Sequence, residues 1–353
     1  MTSLLTHNGT YRSAAWTGRD RVEVRDFDVQ ELGPDDVRVR VAYSGICGSD
    51  LHAMRAPEDF GVAEQDLAIS PGTPGHEFSG VVDAVGDAVT EVQPGDRVAC
   101  LPRIPCGACG ACRLGDVVRC SRKIRAPRGG WAQVVVRDKR FLRSLVPGLS
   151  LRAAALAEPT ACCLRGLDLA RARSVSTALV IGGGPMGLIT AALALRNGFN
   201  DVVLSEPQPY RRALAERLGA TAVDPGEGPV AELAADVLGG APEVVFEAVG
   251  HPSTVEDAVD AVAVGGTVVV LGVAGRDDVA RIRPWVLFDK EMAIVGAWGV
   301  EDTFERAMRW LRSADIDVLA SHDFALEDIS TALDVARSGL SSKVLLRPTE
   351  VPA

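Results

Sequence analysis

The sequence predicts a two-domain α/β protein in which an irregular β domain precedes a doubly wound parallel sheet. With 353 residues, the chain is longer than one compact core usually accommodates. Residues 22–146 are rich in short strands and turns, as expected of a β-rich unit. From residue 177 to about residue 296, apolar strands alternate with helical segments, and this alternation predicts a parallel sheet with helices on both faces.

The β-rich region is identified by patterns of period two. The run VRVRV at 37–41 alternates apolar and charged side chains. FSGVVDAVG and GDRVAC follow it, with a turn at 93–96 between them. Residues 150–172 are rich in alanine and leucine and predict one helix that leads into the second domain.

The alternating region contains four apolar strands and three helical segments. TALVI precedes a helix predicted near 186–196, and DVVLSE precedes one near 210–218. EVVFEAVG precedes a helix near 253–264, and TVVVLGV is the next strand. The tail at 298–353 ends in a further strand-like run, SKVLLRP.

Composition excludes several classes of function. A formal net charge of −10 argues against nucleic-acid binding, which needs a basic face. Residues 1–16 lack the basic and apolar regions of a signal peptide. The apolar run at 178–195 contains Gly-Gly-Gly-Pro at 182–185, which would break a membrane-spanning helix. We therefore expect a cytoplasmic protein that binds neither nucleic acid nor membrane.

Four of the eight cysteines lie in one short segment, CGACGACRLGDVVRC. Disulfides are rare in the cytosol, so this density of thiols points to a metal or redox site. Thiolates from a tight loop can surround one zinc ion tetrahedrally, and a site filled by four sulfurs is closed to substrate. An iron–sulfur cluster uses the same ligands, but ligand type and spacing favour zinc. The residues of this structural site are Cys106, Cys109, Cys112 and Cys120.

A glycine-rich turn follows the first strand of the alternating region. Gly182, Gly184 and Gly187 fit G-x-G-x-x-G between a predicted strand and a predicted helix, which is the context of a dinucleotide site. The second strand ends at Glu206, whose carboxylate can accept hydrogen bonds from the ribose hydroxyls of NAD and would repel the additional phosphate of NADP. Arginines at 211–212 could bind that phosphate, but the acidic residue favours NAD.

Side chains suited to metal binding and proton transfer gather in the β-rich region. GICGSDLH contains a thiol, a hydroxyl, a carboxyl and an imidazole, and PGHEFSG contains an imidazole and a carboxyl. A thiolate, an imidazole and one or two carboxylates could form an open zinc site that leaves the fourth position to water or substrate. Taken singly, Cys47 could be a small buried residue, His76 a core histidine and Glu158 a helix-start carboxylate.

Together these motifs resemble those of the zinc-dependent medium-chain alcohol/polyol dehydrogenases, a family that includes sorbitol, threonine and butanediol dehydrogenases. The resemblance covers almost the whole chain and rests on GICGSDLH, PGHEFSG, VQPGDRV, the four-cysteine segment, Glu158-Pro159, GGGPMG and the closing KVLL. It implies a GroES-like irregular β-barrel catalytic domain at 1–160, to which 298–353 return. It also implies an NAD-binding Rossmann domain at 161–297.

The resemblance further implies roles for individual residues. Ser49 and His52 match the hydroxyl and the imidazole of the family's proton relay. Glu158 falls where polyol-type relatives place a glutamate that binds the metal or its water. The residues that match ligands of a catalytic zinc are Cys47, His76 and either Glu77 or Glu158. The segment at 53–74 is expected to form part of the rim of the substrate pocket.

The cofactor side of the resemblance covers the second domain. Glu206 replaces a more usual aspartate, and Arg165 stands where relatives often carry a smaller or neutral side chain, with no role assigned to it. The positions that match the lining of the NAD site are Gly182, Gly184, Met186, Gly187, Glu206, Arg211, Leu271, Gly272, Val273, Ala297 and Trp298.

The reaction implied by the resemblance is oxidation of a secondary alcohol or polyol to a ketone, with hydride transfer to NAD. Two zinc ions per chain are expected, one catalytic and one structural. One alternative is a dehydrogenase narrowly specific for an amino alcohol, a sugar or a cyclitol. An alternative of another class is a catalytically silent zinc protein that only binds NAD, although the ligand and relay residues it should have lost are present. The family also implies a homodimer or homotetramer joined through the nucleotide domains.

Overall fold

The computed structural model describes residues 9–55, 74–170 and 177–350. Its strands are β1 (Thr10–Gly18), β2 (Arg21–Asp28), β3 (Asp36–Gly45), β4 (Glu77–Val85), β5 (Arg97–Cys100), β6 (Arg103–Ile104), β7 (Ile124–Arg125), β8 (Val134–Asp138), β9 (Leu142–Ser144), β10 (Thr177–Ile181), β11 (Asp201–Ser205), β12 (Thr221–Val223), β13 (Val244–Glu247), β14 (Thr267–Val270), β15 (Ala293–Gly296), β16 (Ala320–Ala325) and β17 (Lys343–Arg347). Its helices are α1 (Gly48–Arg55), α2 (Gly110–Arg113), α3 (Leu151–Ala154), α4 (Ala157–Leu169), α5 (Pro185–Arg196), α6 (Pro209–Leu218), α7 (Val230–Leu238), α8 (Pro252–Ala261), α9 (Pro284–Asp289), α10 (Phe304–Leu311), α11 (Ile316–Leu319) and α12 (Ile329–Arg337).

The first domain is built on a mostly antiparallel sheet in the order β16-β17-β3-β4-β5-β9, with β8 also paired to β3. Val37, Val39 and Val41 on β3 are fully buried, because alternate side chains of a strand face the same side. At the other end of the chain, β17 pairs antiparallel with β3 and parallel with β16. The closing strand β17 therefore lies beside the end of β3, whose other side pairs with the start of β4.

The second sheet is parallel, and its strand order is β12-β11-β10-β13-β14-β15. Numbered from β10, this is the order 3-2-1-4-5-6 of a doubly wound sheet, with its switch point between β10 and β13. Four of the five residues of β10 are buried, since a strand covered on both faces is apolar along its length. The predicted fold class is confirmed.

Helices cover both faces of this parallel sheet. Val180 packs in one core with Leu188 of α5. Its neighbours along β10, Leu179 and Ile181, pack in another core with Ala234 of α7 and with α8. Alternate residues of one strand thus enter different cores, as expected for a sheet between two layers of helices.

The segment between the domains differs from its prediction. The single helix expected over 150–172 is two helices in the structure, α3 and α4, because the Leu156 amide closes a tight turn on the carbonyl of Ala153. The Ser150 hydroxyl caps α3 by accepting a hydrogen bond from the Ala153 amide. The other three predicted helices lie within three residues of α5, α6 and α8. Across the three described stretches, no helix is both long enough and apolar enough to cross a bilayer.

Candidate active site and metal centres

Three potential metal ligands meet where β3 ends and β4 begins. Glu77 pairs across the sheet with Gly45, and Cys47 follows the end of β3 by two residues. The ligand atoms of Cys47, His76 and Glu77 lie within 4.8 Å of one another. Any side chain at position 45 would collide with the Glu77 carboxylate, so glycine keeps this corner open. A thiolate, an imidazole and a carboxylate are ligands that suit zinc. These three residues are called the catalytic group below.

Lys343 of β17 balances the charge of Glu77. Both residues are buried, and the Lys343 Nζ lies 2.7 Å from either oxygen of the carboxylate. The ammonium donates hydrogen bonds to Glu77 Oε1 and to the carbonyl of Ile46. Burial alone would lower the pKa of Lys343, but Glu77 and the Cys47 thiolate raise it above its usual value. Glu77 Oε2 is buried and faces the same ammonium, so the ion pair engages both oxygens of the carboxylate.

Asp50 of α1 fixes the orientation of His76. Its Oδ1 lies 3.4 Å from His76 Nδ1 and accepts a hydrogen bond of 2.9 Å from Arg128 Nη1. The amides of Gly75 and Cys47 donate to the same carboxylate, each at 3.3 Å. Burial raises the pKa of Asp50, but the charges of His76 and Arg128 outweigh it, so the net shift is downward. In His76, burial lowers the pKa, whereas Asp50 raises it well above its usual value.

Glu158 lies in the first turn of α4, close to the catalytic group but outside the set of atoms within 4.8 Å. Cys162 Sγ donates to its Oε1 at 3.7 Å. Burial raises the pKa of Glu158. The charge of His76 lowers this pKa and the charge of Glu77 raises it, so the net shift is upward. Two carboxyl groups in one buried region disfavour double ionisation, so Glu158 is suited to hold a proton.

The two residues predicted as a proton relay lie three positions apart on α1, which places them on one side of the helix. Ser49 Oγ is 3.4 Å from Cys47 Sγ and thus touches the catalytic group. His52 faces a cavity of about 480 Å³ between α1 and α12. The other residues that line this cavity are Gly48, Leu51, Arg55, Ala336 and Arg337. The predicted pocket rim at 53–74 lies largely outside the described residues, which omit 56–73.

The four clustered cysteines form a second group, around α2 and the short turn Val117–Arg119. All four sulfurs lie within 4.8 Å of one another, and those of Cys109 and Cys112 are 3.4 Å apart. Tetrahedral zinc with Zn–S bonds of about 2.3 Å places sulfurs about 3.8 Å apart, so the spacing fits. A hydrogen bond from the Cys112 amide lowers the pKa of Cys109 to about 6, whereas desolvation and Cys109 raise the pKa of Cys112 to about 12. Thiols so close together share protons, and a bound cation would displace them.

The glycine-rich turn has the geometry that the fingerprint requires. Gly182 has a φ of +99°, in the left-handed region that favours glycine. A Cβ at Gly187 would collide with the carbonyl oxygen of Gly182, so the third glycine permits close contact between helix and strand. A Cβ at Gly184 would meet no atom within 4 Å, which leaves room at the N-terminus of α5. Amides at this helix end can bind a pyrophosphate.

Glu206 follows β11 and points back to the glycine turn. It is buried, with one oxygen accepting from the Gly183 amide at 2.7 Å and the other from the Gln208 amide at 2.9 Å. Arg211 donates its Nε to the carbonyl of Ser341 and lies 3.9 Å from the Glu206 carboxylate. Arg212 forms an ion pair with Asp224 at 2.9 Å. Both arginines therefore have partners within the chain.

The remaining predicted cofactor positions follow other strands of the same sheet. The amides of Leu271 and Gly272 donate to the carbonyl of Glu247, and the Ala297 amide donates to that of Val270. Val273 is 66% exposed, and Trp298 is 58% exposed. Met186 lies at the start of α5, where its carbonyl accepts from Cys163 Sγ. The carboxyl ends of parallel strands share one edge of a sheet, so these residues and the glycine turn lie along one edge.

Trp298 also contacts a group of cations near the four-cysteine segment. The Arg103 guanidinium lies 3.8 Å from the centre of its ring, Lys123 Nζ 5.3 Å and the Arg125 guanidinium 5.7 Å. Arg103 and Lys123 both form ion pairs with Glu301, at 2.9 Å and 3.0 Å.

Arg165, to which the sequence assigns no role, pairs with Asp302 at 3.4 Å. This ion pair connects α4 to the segment that precedes α10.

Comparisons with known proteins agree with this geometry. Residues 33–147 match the alcohol dehydrogenase GroES-like domain family, and residues 185–313 match the zinc-binding dehydrogenase family. The chain is 30% identical to L-idonate 5-dehydrogenase from Vitis vinifera, over 96% of this chain and 95% of that protein. It belongs to the zinc-dependent medium-chain alcohol/polyol dehydrogenase family. The dehydrogenase is therefore an oxidoreductase that acts on CH–OH groups.

Two further comparisons extend this result. D-arabinitol dehydrogenase 1 from Uromyces fabae is 32% identical to the dehydrogenase, over 92% of this chain and 95% of that protein. A zinc-binding dehydrogenase from Sinorhizobium meliloti 1021, solved bound to NADP, is 33% identical, covers 96% of this chain and superimposes with a TM-score of 0.86. The predicted family, fold class and oxidation of a secondary alcohol are confirmed.

Several residues of the dehydrogenase's site were not singled out from the sequence. Lys343 lies in the recognised KVLL motif, but nothing local in that strand indicates that its ammonium reaches Glu77. Asp50 is one of the polar residues of GICGSDLH, yet its contact with His76 depends on the pairing of β3 with β4. Arg128 and Glu301 carry no motif. A sequence signal exists only for Lys343 and Asp50, because each stands inside a motif of the family.

Proposed function

We propose that this dehydrogenase oxidises a polyol or another secondary alcohol to a ketone with NAD as the hydride acceptor. The main support is the proximity of a thiolate, an imidazole and a carboxylate, within 4.8 Å, in a chain that also carries a dinucleotide-binding turn. Two relatives named above act on idonate and arabinitol, compounds with several adjacent hydroxyl groups. A substrate with several hydroxyls is therefore the first class to test.

The catalytic group would hold one zinc ion through Cys47, His76 and Glu77. When bound there, zinc supplies Lewis acidity that lowers the pKa of an alcohol hydroxyl. Asp50 holds the His76 ring in place, and Lys343 forms an ion pair with Glu77. Glu77 is favoured over Glu158 as third protein ligand, because its carboxylate belongs to the set of ligand atoms within 4.8 Å of one another. The four-cysteine group would hold the second zinc ion, with no open position for substrate.

The proton of the substrate hydroxyl would leave through side chains of α1. Ser49, next to Cys47, can accept this proton while it passes its own towards His52. His52 faces the cavity beside α12 and can release the proton to solvent there. Imidazole is suited to this step because it gains and loses protons near neutral pH. Glu158, with its raised pKa, would hold a proton near the catalytic group.

NAD is preferred to NADP because of the charge at the end of β11. Both oxygens of Glu206 accept backbone hydrogen bonds, which holds the carboxyl group where the adenosine ribose is expected. Arg211 and Arg212 are held by Ser341 and Asp224 and are not displayed for a phosphate. We expect Glu206→Ser to reduce the preference for NAD over NADP by about tenfold or more, a change in the ratio of kcat/KM values that corresponds to roughly 1.4 kcal/mol. An unchanged ratio would assign cofactor selection to other residues.

The deciding experiment combines zinc content with turnover. NADH formation is followed across secondary alcohols, polyols, amino alcohols, sugars and cyclitols, for the wild type and for Cys47→Ser. We expect two zinc ions per chain and turnover in the wild type, and one zinc ion without turnover in the variant. Cys100→Ala is the matched control, because Cys100 is a buried thiol outside both groups. NAD binding without turnover of any compound would instead support the silent zinc protein.

We propose that the chain divides into a catalytic domain at 1–160 with 298–353 and a nucleotide domain at 161–297. The pairing of β17 with β3, which joins the end of the chain to the first domain, supports this division. The presence of eight free cysteines supports a reducing compartment, and hence the cytoplasm. The exposed edge of the second sheet supports association through the nucleotide domains, as a dimer or a tetramer.

A further inference from the structure

We propose that Arg103, Lys123, Arg125 and Trp298, called the cationic cluster below, bind an anionic group of the substrate. That group is a carboxylate or a phosphate ester carried by the polyol chain. The inference rests on the proposed function and adds to it the chemical class of substrate. It follows from the charge, the exposure and the position of the cluster.

The cluster carries more positive charge than its neighbours balance. Three cations lie within 5.7 Å of the centre of the Trp298 ring. One carboxylate, that of Glu301, pairs with Arg103 at 2.9 Å and with Lys123 at 3.0 Å. Its other oxygen accepts from the amide of Val300 at 3.0 Å. Among these contacts, one negative charge therefore faces three positive charges.

Two of the three cations are mostly buried, and the third is exposed to solvent. The side chains of Arg103 and Lys123 are only 10% and 12% exposed, and Arg103 also donates to the carbonyl of Trp298. Arg125 is exposed, and so is more than half of Trp298. Buried cations held by packing lose little entropy when they bind a ligand. Guanidinium groups present paired N–H donors that match carboxylates and phosphates.

The cluster adjoins the cofactor edge of the sheet and is connected to the helix that carries Glu158. Trp298 comes two residues after the end of β15, at the edge of the sheet where ligands bind in this fold. Glu301, the partner of Arg103, precedes Thr303 by two residues, and the Thr303 hydroxyl donates to the carbonyl of Ala161 in α4, the helix whose first turn carries Glu158. An anion on the cluster would therefore belong to a molecule whose other end can approach the catalytic group.

Two other roles for these cations make different predictions. Arg103 and Lys123 could serve only to hold the four-cysteine segment against Glu301, but this role needs neither the exposed Arg125 nor an exposed indole. The cations could instead neutralise the thiolates of the four-cysteine group, since Lys123 and Arg125 closely follow Cys120. In that case the loss of Arg125 would weaken zinc retention and leave substrate selection unchanged.

The experiment compares a hexitol, its phosphate monoester and the corresponding aldonate at constant ionic strength. The enzymes are the metal-loaded wild type, Arg125→Gln and the control Arg119→Gln. Arg119 lies in the same segment, is 83% exposed and pairs with Asp116. We expect the wild type to prefer one or both anionic substrates in kcat/KM. Arg125→Gln should raise the KM for the anionic substrate about tenfold with kcat unchanged, since a hydrogen bond to a charged group is worth about that factor. Neutral hexitol should be unaffected.

The KM values in Arg125→Gln distinguish the two anionic groups: a higher KM for the phosphate monoester indicates a phosphate ester, and a higher KM for the aldonate indicates a carboxylate. Equal kcat/KM values for neutral and anionic substrates in the wild type would overturn the inference and leave the proposed function intact. An Arg125→Gln effect that appears equally with the hexitol or in Arg119→Gln would also overturn it, and so would an effect confined to zinc content.

A binding measurement tests the cluster independently of turnover. Inorganic phosphate and, separately, acetate are titrated into the metal-loaded protein while tryptophan fluorescence is recorded, with Trp298→Phe identifying the signal of the cluster. Saturable quenching by either anion that is weakened in Arg125→Gln supports the inference, and its absence with both anions in the wild type overturns it. Failure of the proposed function is recognised separately, as an absence of NADH formation from every alcohol tested.

Discussion

Lys343 is the residue on which the charge of the catalytic group depends. It is 2% exposed and forms an ion pair with Glu77, which is 1% exposed. A buried pair of this kind contributes little compared with apolar residues of the same size, but removal of one partner leaves an uncompensated charge. Lys343 therefore matters for stability chiefly because it balances the buried charge of Glu77.

We expect Lys343→Met to lower the free energy of unfolding by about 3–5 kcal/mol. The cause is the Glu77 carboxylate, which the change leaves buried without its cation. Denaturant unfolding of the protein without zinc at the catalytic group measures the effect, because a bound zinc ion would itself balance Glu77. The double variant Glu77→Gln/Lys343→Met removes both charges and should recover most of the loss. A loss below about 1 kcal/mol in the single variant would contradict the dependence of Glu77 on Lys343.

Asp50 acts on the catalytic group through His76. A carboxylate behind a ligating imidazole fixes the ring and its tautomer, and loss of such a partner typically costs 10–100-fold in metal affinity. We expect Asp50→Asn to weaken zinc binding at the catalytic group by about that factor, measured by competition with a chelator. Asp20→Asn serves as control, since Asp20 is a surface residue whose side chain is 45% exposed and pairs with Arg337. Equal zinc affinities for Asp50→Asn and the wild type would contradict the role.

At the scale of residues, the sequence predicts the candidate metal ligands better than the residues that hydrogen-bond to those ligands and orient them. Cys47, His76 and Glu77 are recognisable because thiol, imidazole and carboxyl groups stand in family motifs. Arg128 contacts Asp50 from 78 positions away, and that contact follows from the folded sheet alone. The third ligand could not be chosen between Glu77 and Glu158 from the sequence, because the choice depends on distances of a few ångströms.

Some strands and helices of the dehydrogenase can be predicted from local sequence patterns, whereas others depend on contacts between distant segments. Strands with local alternation, such as β3, and buried apolar runs, such as β10, follow directly from the side-chain pattern. The division of 150–172 into α3 and α4 has one local signal, Pro159, which lacks the amide that a helix interior needs and lies in the first turn of α4. The place of the turn at Leu156 follows only from the folded chain. The pairing of β17 with β3 joins segments about three hundred residues apart, beyond the reach of any local pattern.

The four-cysteine segment is an element that depends on its metal for stability. Its helix α2 has four residues, none of them buried, and the adjoining turn Val117–Arg119 buries none either. We expect Cys109→Ser to reduce zinc content by one ion per chain and to make the segment sensitive to protease. Because Arg103 and Lys123 connect it to Glu301, the thermal midpoint should fall as well. Zinc analysis and limited proteolysis measure the change.

Cys162→Ser is the control for this prediction, since Cys162 belongs to neither cysteine nor catalytic group. Chelation of zinc from the wild type should reproduce the protease sensitivity of Cys109→Ser. If Cys109→Ser retains two zinc ions and resists protease like the wild type, the four cysteines are not a structural zinc site.

At the scale of the whole molecule, the second sheet ends in two edge strands, β12 and β15. Among the described residues, β15 pairs with β14 alone. Near it in the chain, α9 exposes Trp285 and Phe288, at 67% and 74%, with ring centres 5.6 Å apart. An open edge and exposed aromatic side chains favour association, because each offers contacts that a single chain leaves unused. A second copy of the chain could satisfy both through a symmetric contact.

We therefore expect the dehydrogenase to be a homo-oligomer that Phe288→Asp dissociates. Burial of a phenylalanine side chain is worth about 1.5–3 kcal/mol, so its loss from both sides of a symmetric contact, with two charges added, should weaken association by at least about a hundredfold. Light scattering behind size-exclusion chromatography measures the mass. Val237→Asp is the matched control, because Val237 is 45% exposed on α7, which packs on β11 and β12 at the opposite end of the sheet. An oligomer that persists in Phe288→Asp but dissociates in Val237→Asp would place the interface at the other end of the sheet, and a wild type that is monomeric would contradict the association altogether.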